Sequence, residues 1–434
     1  MPRHGLLLRR SPLVAALVFA TAVAARAVGT TRPSDDGIVQ PATAQKPAGP
    51  VAAAPAPQDP VLRGRFLVVS HACGECHSAG GTDDPSAKGW LQGATPGPGL
   101  IEFEIGPPPC GVVPKTKGCF KTRPRNLTPD DATGMGRFTE RQLFNALRYG
   151  LRPEDTPDVT ITGAVPGKGN FPMRPHYLAP PMPWPAWRHM PDSDLRAIAA
   201  YLKRGLKPVT NKVPDSEGPP DFWAGAMVPE KIGTYPAAAF PAASEQQPPA
   251  AQRARAMKGR QLVLEHGCAD CHNATAGPSA GGWLAGITDP SQDFVIGGCF
   301  QDDKAPCFHG RAKNLTPDKE TGIGRFTDQQ IFNALRYGLR PEDTPDVKIT
   351  STTPGQGGFP KDPRYLGPFM PWMSWRHMSD EELWSIIAYL RHAVRPVRNT
   401  VAASDDTPDH WASAVAAGKY PVAPFPTANE TRRK

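Results

Sequence analysis

The chain is internally duplicated, and this duplication constrains its fold more than any other feature. Residues 144–155 return unchanged as residues 332–343, and residues 126–130 return unchanged as residues 314–318. The period of 188 residues is far longer than the units of about 20–50 residues that build solenoids. The sequence therefore predicts two tandem copies of one domain.

Each copy carries one CxxCH pentapeptide, Cys73-Gly74-Glu75-Cys76-His77 or Cys268-Ala269-Asp270-Cys271-His272. Two cysteines three apart lie on one face of a helix, where both sulfurs reach the vinyl groups of one porphyrin. The following histidine then faces the iron as the proximal ligand. This spacing is typical of c-type haem attachment, so we predict two haem c groups. They are attached through Cys73, Cys76, Cys268 and Cys271 and ligated by His77 and His272.

A haem that shuttles electrons needs a second axial ligand, and several repeated positions are candidates. His71 and His266 precede the haem cysteines too closely to reach the opposite face of the porphyrin. The other candidates are Met182 and Met370 in Met-Pro-Trp, and Met190 and Met378 with the adjacent His189 and His377. We favour Met182 and Met370, because the proline stiffens their loop and a thioether raises the reduction potential relative to a second histidine. In the competing interpretation these methionines are core residues and His189 and His377 coordinate the irons.

Donors for the haem propionates are expected in the same segment. Indole, phenol and guanidinium groups supply such donors, although packing in the core is the competing interpretation for the aromatic rings. The candidates are Tyr177, Trp184, Trp187 and Arg188, with Tyr365, Trp372, Trp375 and Arg376 in the second copy. Arg125 and Asn126, with Lys313 and Asn314, are similar candidates.

Four cysteines remain outside the haem motifs, one close pair in each copy. In an oxidising compartment the simplest interpretation is one local disulfide per copy, Cys110–Cys119 and Cys299–Cys307. Each disulfide would hold the long loop over the haem. Four ligands to one structural zinc are the alternative, which requires the two pairs to converge.

The sequence predicts three helices in each copy and no strand, so the expected fold class is all-α, with two tandem cytochrome c-like domains and long loops. The second helix starts at a capping box, at Thr139 or Thr327, and ends at Gly150 or Gly338. The third begins near residue 192 or 380, with a further capping box at Ser379. Gly64 and Gly259 on the first helix face Tyr201 and Tyr389 on the third, which predicts a close helix crossing.

The N-terminus reads as a secretory signal over residues 1–27, because arginines flank an apolar core that ends in an Ala-x-Ala site. Residues 28–58, rich in alanine and proline, are expected to be a disordered linker. The two domains then cover residues 59–244 and 249–434. The apolar core is too short for a comfortable membrane span, so we expect no transmembrane helix unless the signal stays uncleaved as an anchor. The destination would be the periplasm.

The positive net charge of the sequence is no argument for a nucleic-acid partner, and we expect none. The formal charge is +8, but the predicted signal contributes four arginines and no acids. Two haems would add four propionate charges, so the mature protein is expected to be near neutral.

In these motifs the chain resembles the class I cytochrome c family, as found in cytochrome c subunits of membrane-associated bacterial dehydrogenases. The resemblance rests on the two CxxCH motifs, on residues 314–318 followed by Thr321-Gly322-Ile323-Gly324, and on Met370-Pro371-Trp372 with residues 379–383 and 388–390. In that family the methionine of Met-Pro-aromatic is the distal ligand, which implies this role for Met182 and Met370.

We therefore expect a periplasmic electron-transfer protein rather than an enzyme. It would take single electrons from a dehydrogenase or a quinol-oxidising complex and pass them to another cytochrome, an oxidase or a photosynthetic centre. The alternative is a dihaem redox enzyme, a peroxidase or thiosulfate-type oxidoreductase, with one open haem. Two nearly equivalent repeats argue against it, because such enzymes divide labour between unlike haems.

Overall fold

The fold is known from a computed structural model. It describes residues 59–94, 102–105, 119–217, 225, 227, 232–273, 277–297, 307–367, 369–404 and 422–432. The predicted signal and linker, Cys110 and Cys299 lie outside the described residues. The side chain of Cys307 lies outside them as well.

The first repeat contains five helices and one pair of strands among its described residues. They are α1 (Pro60–Ser70), α2 (Cys73–His77), β1 (Phe103–Ile105), β2 (Phe120–Thr122), α3 (Glu140–Tyr149), α4 (Trp184–Trp187) and α5 (Asp192–Ala200). A π-helical turn, Tyr201–Gly205, extends α5. Short 3₁₀ turns lie at Met135–Arg137 and Pro153–Asp155.

The second repeat has the same order of elements. They are α6 (Arg253–Glu265), α7 (Cys268–His272), β3 (Phe294–Gly297), β4 (Cys307–Gly310), α8 (Asp328–Tyr337), α9 (Trp372–Trp375) and α10 (Asp380–His392). Its 3₁₀ turns are Ala250–Gln252, Pro290–Gln292, Ile323–Arg325 and Pro341–Asp343. Within the part of the chain that the structure describes, no helix combines the length and apolarity that a bilayer crossing requires.

The predicted helix ends are confirmed. Thr139 and Thr327 form complete capping boxes with the third residue of their helices, and Ser379 does the same for α10. Gly150 and Gly338 end α3 and α8 with φ of 68°, in the left-handed region. These caps satisfy backbone groups that the helix itself leaves without a partner, which explains why such local signals locate the helices.

The predicted close helix crossing is also confirmed. A Cβ atom on Gly64 would lie 1.9 Å from the carbonyl oxygen of Ala197 and 2.8 Å from the Cβ of Tyr201. A Cβ atom on Gly259 would lie 1.8 Å from the carbonyl oxygen of Ser385. Only glycine permits this approach, which fixes the first and last helices of each repeat against each other behind the CxxCH segment.

Two short antiparallel strand pairs were not predicted from the sequence. Strand β1 pairs with β2, with Phe103 opposite Thr122 and Ile105 opposite Phe120, and β3 pairs with β4. Strands of three or four residues are too short to show a period of two clearly. The described chain is therefore mostly helical, as expected, with one small ladder in each repeat.

The segment that follows each repeat packs against the other repeat. Phe240 packs on the core of the second repeat, and Phe425 packs on the core of the first. Glu245 forms a β-bridge with Val394, and Glu430 forms the matching bridge with Leu206. Residues 237–245 thus pack on the second repeat and residues 422–432 on the first, whereas the boundaries predicted from the sequence place residues 237–244 in the first domain and residues 422–432 in the second.

Candidate haem sites

The CxxCH motifs form short helices, α2 and α7, that start from left-handed residues. Ala72 has φ of 60° and Gly267 has φ of 62°, so the chain turns sharply between the first helix and the motif. All four motif cysteines are free of disulfides, as thioether attachment requires. Burial raises the pKa of Cys73 and of Cys268 to about 12, so these side chains are neutral thiols.

A backbone carbonyl orients each motif histidine so that the imidazole can ligate iron. Nδ1 of His77 lies 2.8 Å from the carbonyl oxygen of Arg125, and Nδ1 of His272 lies 2.7 Å from that of Lys313. A carbonyl can only accept, so Nδ1 carries the proton and Nε2 keeps its lone pair. Burial lowers the pKa of both imidazoles, which keeps them neutral. This is the arrangement that orients a metal-bound histidine.

The two pairs of candidate methionines differ in burial. Met182 packs against the core cluster that contains Cys73, and Met370 and Cys268 both pack against the core of the second repeat. Met190 and Met378 are only 1% and 2% exposed and belong to those cores.

His189 and His377, which would be the ligands in the competing interpretation, contact other protein groups. Nε2 of His377 lies 2.8 Å from Oδ2 of Asp83, a residue of the other repeat. The ring of His189 lies 5.9 Å from that of Tyr235, and burial lowers its pKa to about 3. These placements favour Met182 and Met370 as the axial residues.

Two buried indole groups lack a partner at equivalent places. Nε1 of Trp184 and Nε1 of Trp372 are buried and make no hydrogen bond. Each indole stacks on a tyrosine, with ring centroids 5.7 Å apart at Tyr177 and 5.8 Å apart at Tyr365. A buried donor without an acceptor is costly, and a propionate oxygen would satisfy it. The residues present therefore fit a haem.

The other proposed propionate donors have protein partners. Nδ2 of Asn126 donates to the carbonyl oxygen of Val209 at 2.8 Å, and Asn314 repeats the contact with Val397. Nζ of Lys313 donates to the carbonyl oxygen of Ala402 at 2.6 Å. The structure therefore gives these side chains a role in fixing the loop after the last helix. Arg125 and Lys313 also orient His77 and His272 through their backbone carbonyls.

The remaining cysteines are described only in part. Cys119 is disulfide-bonded, and its partner lies outside the described residues. Both predicted pairings, Cys110–Cys119 and Cys299–Cys307, stay predictions.

Sequence reasoning missed the contacts that join the repeats. Oγ of Ser374 donates to Oε1 of Glu75 at 2.7 Å, and Nη2 of Arg376 donates to Oδ2 of Asp83 at 2.6 Å. Asp83 lies between His77 and Trp90, a stretch with two more residues than the matching stretch of the second repeat. The two additional residues are a sequence signal for this contact, whereas the sequence alone predicts Arg376 as a propionate donor.

The fold and the site of the second repeat agree with a cytochrome c domain. Residues 256–393 match the cytochrome c family. This match implies haem c as the cofactor and electron transfer as the role of the domain.

Several cytochrome subunits of dehydrogenases are related to the chain. It is 26% identical over 358 residues to the gluconate 2-dehydrogenase cytochrome c subunit of Pantoea cypripedii, covering 80% of this chain and 62% of that protein. It is 25% identical over 283 residues to the fructose dehydrogenase cytochrome subunit of Gluconobacter japonicus, covering 64% of this chain and 45% of that protein. It is also 25% identical over 267 residues to the alcohol dehydrogenase (quinone) cytochrome c subunit of Gluconacetobacter polyoxogenes, covering 61% and 46%.

The chain thus spans between 45% and 62% of the length of these relatives. All three are named as cytochrome subunits, which agrees with the prediction of an electron-transfer subunit.

Proposed function

We propose that the chain is a periplasmic dihaem c-type cytochrome that carries single electrons from a dehydrogenase or quinol-oxidising complex to a downstream acceptor. The observation that carries the proposal is the duplicated histidine geometry. In both repeats the histidine of CxxCH has a lowered pKa and is held by a backbone carbonyl through Nδ1. A purely structural CxxCH segment has no need for two such oriented imidazoles.

The residues of each repeat have separate tasks at the haem. Cys73 and Cys76, with Cys268 and Cys271, hold the porphyrin by thioether bonds. His77 and His272, together with Met182 and Met370, would ligate the irons. The haem supplies a reversible one-electron couple, while the chain sets its potential through ligation, burial and hydrogen bonding. Trp184 and Trp372 donate their free indole N–H groups to propionates.

The proposed partners are periplasmic or membrane-bound redox proteins. The related cytochrome subunits carry the names of gluconate, fructose and alcohol dehydrogenases, which supports a dehydrogenase as the electron donor. A destination in the periplasm rests on the predicted signal at residues 1–27 and on the haem chemistry itself. We propose further that Cys110–Cys119 and Cys299–Cys307 form disulfides there.

Axial substitutions test this proposal. In the purified dihaem protein, Met182→Ala and Met370→Ala should each abolish the methionine–ferric charge-transfer absorption of one haem and lower its midpoint potential. Met190→Leu is the matched control, a buried methionine of the same segment, and should leave the absorption of both haems unchanged. An unchanged spectrum in Met182→Ala would contradict the ligand assignment. Rapid binding of peroxide or cyanide by one wild-type haem would instead favour the alternative of a dihaem enzyme.

A further inference from the structure

Equivalent helices of the two repeats make reciprocal contacts with the other repeat. In the second repeat, helix α9 lies against the haem-attachment region of the first, where Ser374 donates to Glu75. In the first repeat, helix α4 lies against that region of the second, where a Cβ atom on Gly267 would be 3.2 Å from the Cβ of Ala186. Ala186 and Ser374 are equivalent positions of the duplication. The interface therefore brings the two CxxCH segments towards each other.

Two histidines stack face to face at the centre of this interface. The ring centroids of His71 and His266 are 4.1 Å apart and the ring planes differ by 17°. Trp187 lies edge-on to His71 at 6.5 Å, and Trp375 lies edge-on to His266 at 5.9 Å. His71 is 7% exposed, and both tryptophans are buried. Four rings thus form one continuous aromatic run from one repeat to the other.

The stack is not arranged to hold a metal ion. Ligand atoms of His71, Glu265 and His266 all lie within 4.8 Å of one another, so the composition alone suggests a site. A ligated ion lies close to the plane of each imidazole, however, and two stacked, nearly parallel rings cannot both point at one ion.

The stack is also an uncharged contact. Burial lowers the pKa of His71 to about 4 and that of His266 well below its usual value. Nδ1 of His71 donates to the carbonyl oxygen of Leu67 at 3.0 Å. Two neutral rings in contact within the interface provide electronic overlap without a charge that must be solvated.

We propose that the stacked pair His71–His266 is the electronic contact between the two redox centres, an inference that rests on the proposed dihaem function. His71 is two residues from Cys73, and His266 is two residues from Cys268. A path along these segments is covalent from each thioether to each imidazole, and the ring contact is its single through-space step. One electron leaves a ferrous iron, which becomes ferric, and reduces the ferric iron of the other repeat. No proton moves and no bond forms.

The test needs two haems that can be distinguished. Met370→His in the full-length dihaem protein would give the second haem a second histidine ligand, with a different spectrum and a lower potential. After a light-driven flavin injects one electron, its redistribution between the haems is followed as a phase whose rate is independent of protein concentration. This rate is then measured with His71→Leu, with His71→Phe and with His392→Leu, a histidine substitution outside the aromatic run.

The proposal predicts that His71→Leu slows the redistribution phase, that His71→Phe restores most of it, and that His392→Leu leaves it unchanged. The midpoint potentials of both haems should not move in any of the three, which separates electronic contact from a general loosening of the sites. Equal rates in the parent and His71→Leu would overturn the proposal, as would equal slowing by leucine and phenylalanine. A dihaem parent without the phase would overturn it too. A parent that carries fewer than two haems would instead contradict the proposed function.

Discussion

Removal of the Glu430 carboxylate should destabilise the first repeat, although this residue lies at the far end of the second. Glu430 is 2% exposed, and its Oε1 accepts hydrogen bonds at 2.6 Å from Nε of Arg65 and at 2.6 Å from the hydroxyl of Tyr201. Oε2 accepts from the backbone N–H of Thr427 at 2.9 Å. Glu430→Ala leaves the buried guanidinium of Arg65 without its counter-charge.

The expected loss of unfolding free energy is about 3–5 kcal/mol, the usual cost of removing one partner of a buried ion pair. For a domain of this size, each kcal/mol lowers Tm by about 2–4 °C, so Tm should fall by about 6–20 °C. The assay is thermal unfolding of the dihaem protein, followed by far-UV circular dichroism. Glu430→Gln keeps an acceptor oxygen and should lose less.

The second repeat provides the matched comparison. Glu245 is completely buried and accepts at 2.6 Å from Arg260 and at 2.6 Å from Tyr389, so Glu245→Ala should cost about the same as Glu430→Ala. The stabilising role of Glu430 is refuted if the Tm of Glu430→Ala stays within about 1 °C of wild type while that of Glu245→Ala falls strongly. Residues 422–432 would then not stabilise the first repeat.

Three further changes test other parts of the structure. Burial raises the pKa of Glu265 to about 7, so the native state holds this proton more tightly than the unfolded state. The unfolding free energy should therefore fall by about 3 kcal/mol between pH 4.5 and pH 7. Glu265→Gln should remove this component in urea titrations, and parallel pH profiles would contradict it. Gly64→Ala should destabilise by about 1–3 kcal/mol in the same titrations, despite the better helix propensity of alanine, because its Cβ would meet the Ala197 carbonyl; a more stable variant would show that the helices can separate. Ser379→Ala should lower the unfolding free energy by about 1 kcal/mol, whereas an unchanged value would mean that the capping box of α10 contributes nothing.

Local sequence signals predicted the parts of the fold that depend on neighbouring residues. The capping boxes at Thr139, Thr327 and Ser379 locate helix starts because their partners are three residues away. The crossing of Gly64 with Tyr201 was predictable because the duplication shows the same glycine and aromatic pair twice. The CxxCH motifs are local signals of the same kind, and the haem attachment that they indicate stays a prediction.

Long-range contacts could not be predicted in this way. Glu430 and Arg65 are 365 residues apart, and nothing in their immediate surroundings marks them as partners. Asp83 lies in the stretch that is two residues longer in the first repeat, so comparison of the two repeats does not identify its contact with Arg376 and His377. The sequence placed His71 and His266 beside the haem segments, but only the packed interface brings their rings together.

The most direct test of the whole account is the intact mass of the mature, exported protein. The account predicts a mass increased by two covalently bound haem groups, with one lost in Cys73→Ala/Cys76→Ala and the other lost in Cys268→Ala/Cys271→Ala. A mature wild-type polypeptide that carries one haem or none would contradict it.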